Sequence, residues 1–151
     1  MSSKFLLKHI REEGGAYGTG AAHPSSMTLF SSYDDPNVLR SIDQFKKGCQ
    51  WVRDGNFTQK DIEEARLSVF GDMDAPKEPQ SFGIADIYNK KSAEQRQQQR
   101  NLLLNVTKEE LVETAKKSFA YENVPVRTMV FGNENSVKEI EKDESWVIES
   151  M

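Results

Sequence analysis

The 151-residue chain has a single cysteine, Cys49. It cannot close an internal disulfide, which favours a reducing compartment. No apolar run approaches the roughly 20 residues that a membrane-spanning helix needs. The opening "MSSKFLLKHIREE" does not read as a signal peptide, because its apolar core is short and charges interrupt it. Charge of one sign is not concentrated anywhere: residues 1–75 carry 9 basic and 11 acidic groups, residues 76–151 carry 11 and 13. With a net charge of −4 and no basic block, neither nucleic acid nor an anionic membrane surface is indicated as a partner. Histidine is nearly absent too. His9 and His23 are the only two, and a catalytic zinc site ordinarily takes three protein ligands. "HIREE" carries Glu13 where an H-x-x-E-H helix would have its second histidine, and H-E-x-x-H does not occur. No internal repeat is present.

Eight Phe, four Tyr and two Trp supply a core. Residues 3–13 predict a helix capped by Ser2 or Ser3, with Phe5, Leu6 and Ile10 on one face and Gly14–Gly15 ending it. Ala16–His23 and Met27–Tyr33 read as two strands, the second alternating Met27 and Leu29 against Thr28 and Phe30. A helix follows, with Asp35 as N-cap, Pro36 in its first turn, an apolar stripe of Val38, Leu39, Ile42, Phe45, Cys49 and Val52, and Gly55 past its end. The next helix opens on Thr58 with Asp61 three residues on, and turns Ile62, Ala65, Val69 and Leu67 or Phe70 inward. Two prolines in "DAPKEPQ" end it. Residues 81–90 read as a short helix, "SAEQRQQQRNLLLN" as a polar helix, and "TKEELVETAKKSFAY" as a helix boxed by Thr107 and Glu110. Val126–Phe131 reads as a third strand and "NSVKEIEK" as a last short helix. Such an order is α+β: an antiparallel sheet packed against several helices, in a single domain over residues 1–151. Three strands make a thin sheet, so a domain missing upstream strands is expected, with an open sheet edge inviting self-association.

Most chemistry-bearing residues have a plain structural reading. His9 is expected as a partly buried helix residue, His23 as a turn residue and Cys49 as core. "EEAR" and "EQRQQQR" are expected as solvated helix faces. "REEGGAYGTGAAHP" is different. Four glycines crowd it, although glycine loses more backbone freedom on folding than any other residue. Its spacing fits neither a dinucleotide fingerprint, since His23 stands where Gly or Ala is required, nor a phosphate loop. The structural reading is a helix C-cap at Gly14–Gly15 followed by a strand bulged at Gly18 and Gly20. The functional reading adds that a glycine strand admits another backbone closely, with the Tyr17 phenol on the rim and Arg11 six residues before it.

"IREEGGAYGTGA" resembles the C-terminal domain of the presequence-protease branch of the pitrilysin (insulinase, inverzincin) zinc metallopeptidases, where I-R-E-K-G-G-A-Y-G-G-G-A is usual. "LFSSYDDPN", "WVRDGNFTQKDIEEARLSVFGDMDAP", "RQQQRNLLLNVTKEEL" and "KDESWVI" resemble further family segments in order along the chain. Thr19 replaces a usual glycine, and Asp34 stands where Arg is usual. The resemblance implies a truncated pitrilysin-type domain at the C-terminal end of a large, chamber-like endopeptidase. That enzyme closes two homologous halves around unfolded peptides such as cleaved targeting presequences. It implies Arg11 and Tyr17 as the residues that reach the substrate and its scissile carbonyl, with Gly15, Ala16 and Gly18 beside the substrate strand. It implies no cofactor in this chain and zinc in the N-terminal half of the parent, which is also its partner. It implies a mitochondrial matrix location for the parent, and no peptidase activity for this chain alone. The alternative is a non-catalytic pitrilysin-fold scaffold or interaction module, against which the retained Arg11 and Tyr17 argue.

Overall fold

In the computed structural model, the described residues are 1–24, 27–76, 78, 92–120, 125–132, 140, 146–147 and 149. They form an α+β arrangement. A π-helix, Ser2–Glu12, leads into strand β1 (Gly18–Ala22) and strand β2 (Leu29–Tyr33). Four α-helices follow: α1 (Val38–Arg53), α2 (Gln59–Met73), α3 (Ala93–Asn105) and α4 (Lys108–Ser118). The chain divides into two compact units, one of Met1–Asp54 with Ala115–Met151, the other Gly55–Thr114.

The first unit is built on the opening helix. Its winding is wider than an α-helix: the Leu6 N–H donates to the Met1 carbonyl and the Glu13 N–H to that of Lys8, each five residues back. Leu6 and Ile10 are fully buried as predicted, and with Ala16 they form the core, flanked by Met1, Phe5, Ala21, Phe30 and Phe45. Burying two such side chains stabilises by roughly 1.5–3 kcal/mol each. Ser2 does not cap the helix. It lies within it, and its hydroxyl accepts the Ala21 N–H of β1 at 3.2 Å, tying helix to strand.

The hairpin forms where the alternation placed it, in a continuous antiparallel register from Gly18↔Tyr33 to Ala22↔Leu29. Every residue has one partner, so the bulge expected at Gly18 and Gly20 is absent. Phe30 is the inward residue, stacked on Phe45 at 5.4 Å, and Leu29 faces out. Among the described residues the sheet has only these two strands. Val126–Phe131 is not a strand; its Met129 and Phe131 are about three-quarters exposed. Apolar alternation marks a segment able to pair, but a strand needs an edge to pair with, and propensity yields to that context.

Helix α1 begins two residues later than predicted. Asn37 is its N-cap residue, and Asp35 instead accepts the Asn37 N–H at 2.8 Å. Its inward face keeps most of the predicted stripe, with Cys49 buried and Val38, Ile42, Phe45 and Val52 half-buried, but adds small residues that the stripe did not include. Ser41, Gly48 and Cys49 are buried, whereas Leu39 is exposed. The reason is close approach: a side chain on Gly48 would meet Leu6 at 3.2 Å and Phe5 at 3.3 Å, so the small residues of α1 seat the opening helix.

The second unit is held by polar clamps as much as by apolar burial. Thr58 and Asp61 form the predicted capping box, Ser92 and Gln95 form another, and Thr107 and Glu110 exchange the same pair of bonds. Phe57 and Ile62 are buried, but Ala65, Leu67 and Val69 are not, which corrects the inward face predicted for α2. Lys108 donates to the Phe57 carbonyl at 2.8 Å and stands 5.2 Å over its ring. Arg100, predicted on a solvated face, grips Asp74 through both guanidinium nitrogens at 2.6 and 2.9 Å and covers the Phe70 ring. The hydrogen bonds from Arg100, helped by its charge, hold the Asp74 carboxyl below the ordinary range. The short helices predicted over residues 81–90 and 135–142 lie outside the described residues, apart from Ile140.

The packing at Gly48 sets a stability test. Gly48→Val is expected to lower unfolding free energy by about 1–3 kcal/mol through overpacking. Gly48→Ala is expected to stay within about 1 kcal/mol of the parent, because a gain in helix propensity offsets a small shift of flexible side chains. Urea denaturation checks both.

Candidate functional site

The glycine-rich corner joins the opening helix to β1. A helix end leaves its last carbonyls without intrahelical donors, and this one is closed in an unusual way. The Gly15 N–H donates to the Arg11 carbonyl at 3.0 Å and the Ala16 N–H to the Ile10 carbonyl at 3.2 Å. Gly15 sits at φ +83°, where only glycine is unstrained. Gly14 has no room for a side chain, since a Cβ would collide with the Ile10 carbonyl oxygen and lie 3.1 Å from that of His9. Two further carbonyls, those of Gly14 and Glu13, are taken from outside. The Asn37 side-chain amide donates to Gly14 at 2.9 Å, and the Arg40 guanidinium donates to Glu13 at 2.9 Å.

Arg11 and Tyr17 lie on either side of this corner. Arg11 is exposed in the last turn of the helix, and its guanidinium makes no hydrogen bond or ion pair with a described residue. Tyr17 is 70% exposed. Its backbone N–H is shared between the carbonyls of Tyr33 at 3.1 Å and Asp34 at 3.2 Å. Its ring meets that of Tyr33 edge-on at 5.9 Å and 80°, an arrangement that aromatic quadrupoles favour. The Tyr17 hydroxyl makes no hydrogen bond with a described residue. Gly15 is exposed, and a side chain on Gly18 or Gly20 would meet nothing within 4 Å, so the surface beside Tyr17 is open. Ala16 differs from its neighbours. It is 2% exposed, and its methyl belongs to the core.

Asn37, Arg40 and Tyr33 were not singled out from sequence. Their only signal is the spacing of Asn37 and Arg40, three residues apart at a helix start, and the residues they hold lie more than twenty positions away. His9 is partly buried as predicted, and its Nδ1 lies 2.8 Å from the Glu13 carboxylate. His23 is exposed beside Thr28, and Cys49 is buried. Among the described residues, no three of His, Cys, Asp and Glu come together to hold a metal ion. This donor set does not fit a catalytic zinc. No described helix is long and apolar enough to cross a membrane.

The family model described as the PreP C-terminal domain matches residues 1–129. The chain belongs to that family. The mitochondrial presequence protease of Danio rerio is 40% identical over 149 residues, covering 98% of this chain and 14% of that protein. That of Mus musculus is 39% identical over 150 residues, again 98% and 14%. That of Saccharomyces cerevisiae is 34% identical over 110 residues, 71% of this chain and 11% of that protein. The chain thus spans about one-seventh of the length of the animal relatives it matches. All of Arg11–Ala21 falls within the PreP C-terminal domain match.

The Glu13 carboxyl titrates in a defined direction. The hydrogen bond from His9 holds the Glu13 carboxyl below the ordinary glutamate range, helped by the charges of Lys8 and Arg40. A depressed folded-state value contributes stability above the unfolded-state value and loses it as pH falls through the depressed one. NMR titration of the Glu13 carboxyl carbon is expected to give a midpoint below that of a free glutamate, and His9→Ala to move it upward. A midpoint unchanged by His9→Ala would mean that the contact does not form in solution.

Proposed function

We propose that this chain is the C-terminal, substrate-side domain of a zinc metalloendopeptidase that degrades unfolded peptides, cleaved targeting presequences among them, in the mitochondrial matrix. The family membership supports it, together with the naming of relatives from fish to yeast as mitochondrial presequence proteases. The single observation in this chain that carries it is that one open backbone corner is flanked by an exposed phenol, Tyr17, and an exposed guanidinium, Arg11, neither of them engaged by a described residue. The metal and its H-x-x-E-H helix belong, in this reading, to the N-terminal half of the parent, which is also this domain's partner. The domain alone therefore does not hydrolyse peptides.

In the parent, an extended peptide runs past Gly15 and Gly18, where the bare, exposed backbone leaves room for it. Ala16, anchored in the core, keeps that backbone from yielding. As a nucleophile adds to the scissile carbonyl, charge develops on its oxygen. The Tyr17 hydroxyl donates a hydrogen bond to that oxygen, and the Arg11 guanidinium supplies positive charge and further donors. Donors that are fixed in advance need no reorganisation as the reaction proceeds, and removing one such donor elsewhere costs about 3–4 kcal/mol of transition-state stabilisation.

Tyr17→Phe in the full-length parent removes one hydroxyl and keeps the ring against Tyr33. Turnover of a fluorogenic peptide is expected to fall by about 10²–10³, with a smaller change in KM. Arg11→Ala is expected to change both, because a guanidinium also holds ground-state substrate. Turnover unaltered by Tyr17→Phe would end the catalytic reading of Tyr17 and leave it a packing residue.

A further inference from the structure

The corner that carries Arg11 and Tyr17 is tied to the start of α1 by residues with no place in the proposed chemistry. Of the carbonyls at the end of the opening helix, those of Ile10 and Arg11 are closed locally, by the N–H groups of Ala16 and Gly15. Among the described residues, those of Glu13 and Gly14 are closed by side chains 40 and 37. Asn37 is itself fixed, because its own N–H donates to Asp35 at 2.8 Å. Arg40 adds an ion pair to the Glu13 carboxylate at 3.6 Å. Residues 33 and 34 complete the tie by accepting the Tyr17 N–H, with Asp34 at φ +48°, a left-handed conformation that non-glycine residues seldom adopt. The stretch 33–40 thus holds the corner at three successive places: Glu13, Gly14 and Tyr17.

We infer that Asn37 and Arg40 are positioning residues, which fix the Glu13–Gly14 backbone against α1 and thereby set where Arg11 and Tyr17 meet the substrate. The inference rests on the function proposed above. Two donors on a helix start are a rigid support, because α1 is seated on the opening helix through Gly48. Local caps alone leave the corner free to swing about Gly14 and Gly15, and a displacement of about 1 Å costs up to 10²-fold in rate. Asn37 is the stronger of the two, since its bond is part-buried and that of Arg40 is solvent-exposed. A purely structural role, closing helix-end carbonyls, makes a different forecast: lost stability with an unaltered chemical step.

The test uses the full-length protease containing this chain and a fluorogenic, unstructured peptide. Asn37→Ala is expected to lower kcat about tenfold with little change in KM, and Arg40→Met about threefold, with Arg40→Lys restoring most of the loss. In a background carrying both Tyr17→Phe and Arg11→Ala, Asn37→Ala is expected to add less than about a twofold loss, because the residue acts through those two side chains. Thr58→Ala, which removes a cap in the other unit, is the stability control, with thermal stability lowered and kcat unaltered. If Asn37→Ala does not accumulate as folded protein, the surface variant Arg40→Met and its Lys rescue decide the matter. Unaltered kcat in Asn37→Ala or, failing that, in Arg40→Met overturns the inference. So does a loss that multiplies in full with that of the double variant Tyr17→Phe, Arg11→Ala. A silent Tyr17→Phe instead sinks the catalytic reading of Tyr17, whatever Asn37 does.

Discussion

The passage from the opening helix into β1 is the constraint on which the first unit depends. The Ile10 carbonyl lies over Gly14 so closely that no side chain fits there, and Gly15 must turn through a left-handed conformation to release the strand. That turn lets Ala16 drop into the core beside Leu6 and Ile10, while Arg11 and Tyr17 stay outside. Core and candidate site are therefore the two faces of one backbone feature. Alanine at either glycine strains both, through steric collision at Gly14 and through a forced positive φ at Gly15.

The rest of the unit adapts to that corner. The hairpin brings Tyr33 and Asp34 to the Tyr17 N–H, and α1 starts where Asn37 and Arg40 reach the free carbonyls. Ser2 pins β1 from the helix side. Small residues on α1 then allow the helix to sit close, at the expense of a larger apolar interface. The second unit follows a different plan, in which capping boxes and the clamps of Lys108 and Arg100 supplement few buried apolar side chains. Those clamps are exposed or part-buried, so their contribution weakens with salt.

Local rules were legible in the sequence, and long-range ones were not. The hairpin followed from alternation around a turn, and the boxes at Thr58–Asp61 and Thr107–Glu110 followed from three-residue spacing, because their partners are near in the chain. The π-type winding was not readable, since Leu6 and Ile10 at four-residue spacing satisfy both an α-helix and a wider one. The apolar stripe of α1 was legible apart from Leu39, but the burial of Gly48 and Ser41 was not, because neither carries a hydrophobic signal; closeness to Leu6 and Phe5 is what buries Gly48. Val126–Phe131 has strand chemistry and no strand partner among the described residues. At the site, Arg11 and Tyr17 were found by family resemblance, and the glycines around them by composition. Asn37 and Arg40 were not legible, because the bonds they make reach back more than twenty residues.

The central claim is that this corner presents Tyr17 and Arg11 to a reacting peptide carbonyl. The most direct measurement is a structure of the full-length protease bound to a peptide that carries a tetrahedral mimic of the transition state. The account predicts the Tyr17 hydroxyl about 2.7–3.1 Å from the oxygen that stands for the oxyanion, with the peptide backbone running past Gly15 and Gly18. A mimic bound in the chamber with the Tyr17 hydroxyl and the Arg11 guanidinium both out of hydrogen-bonding reach of it would contradict the claim.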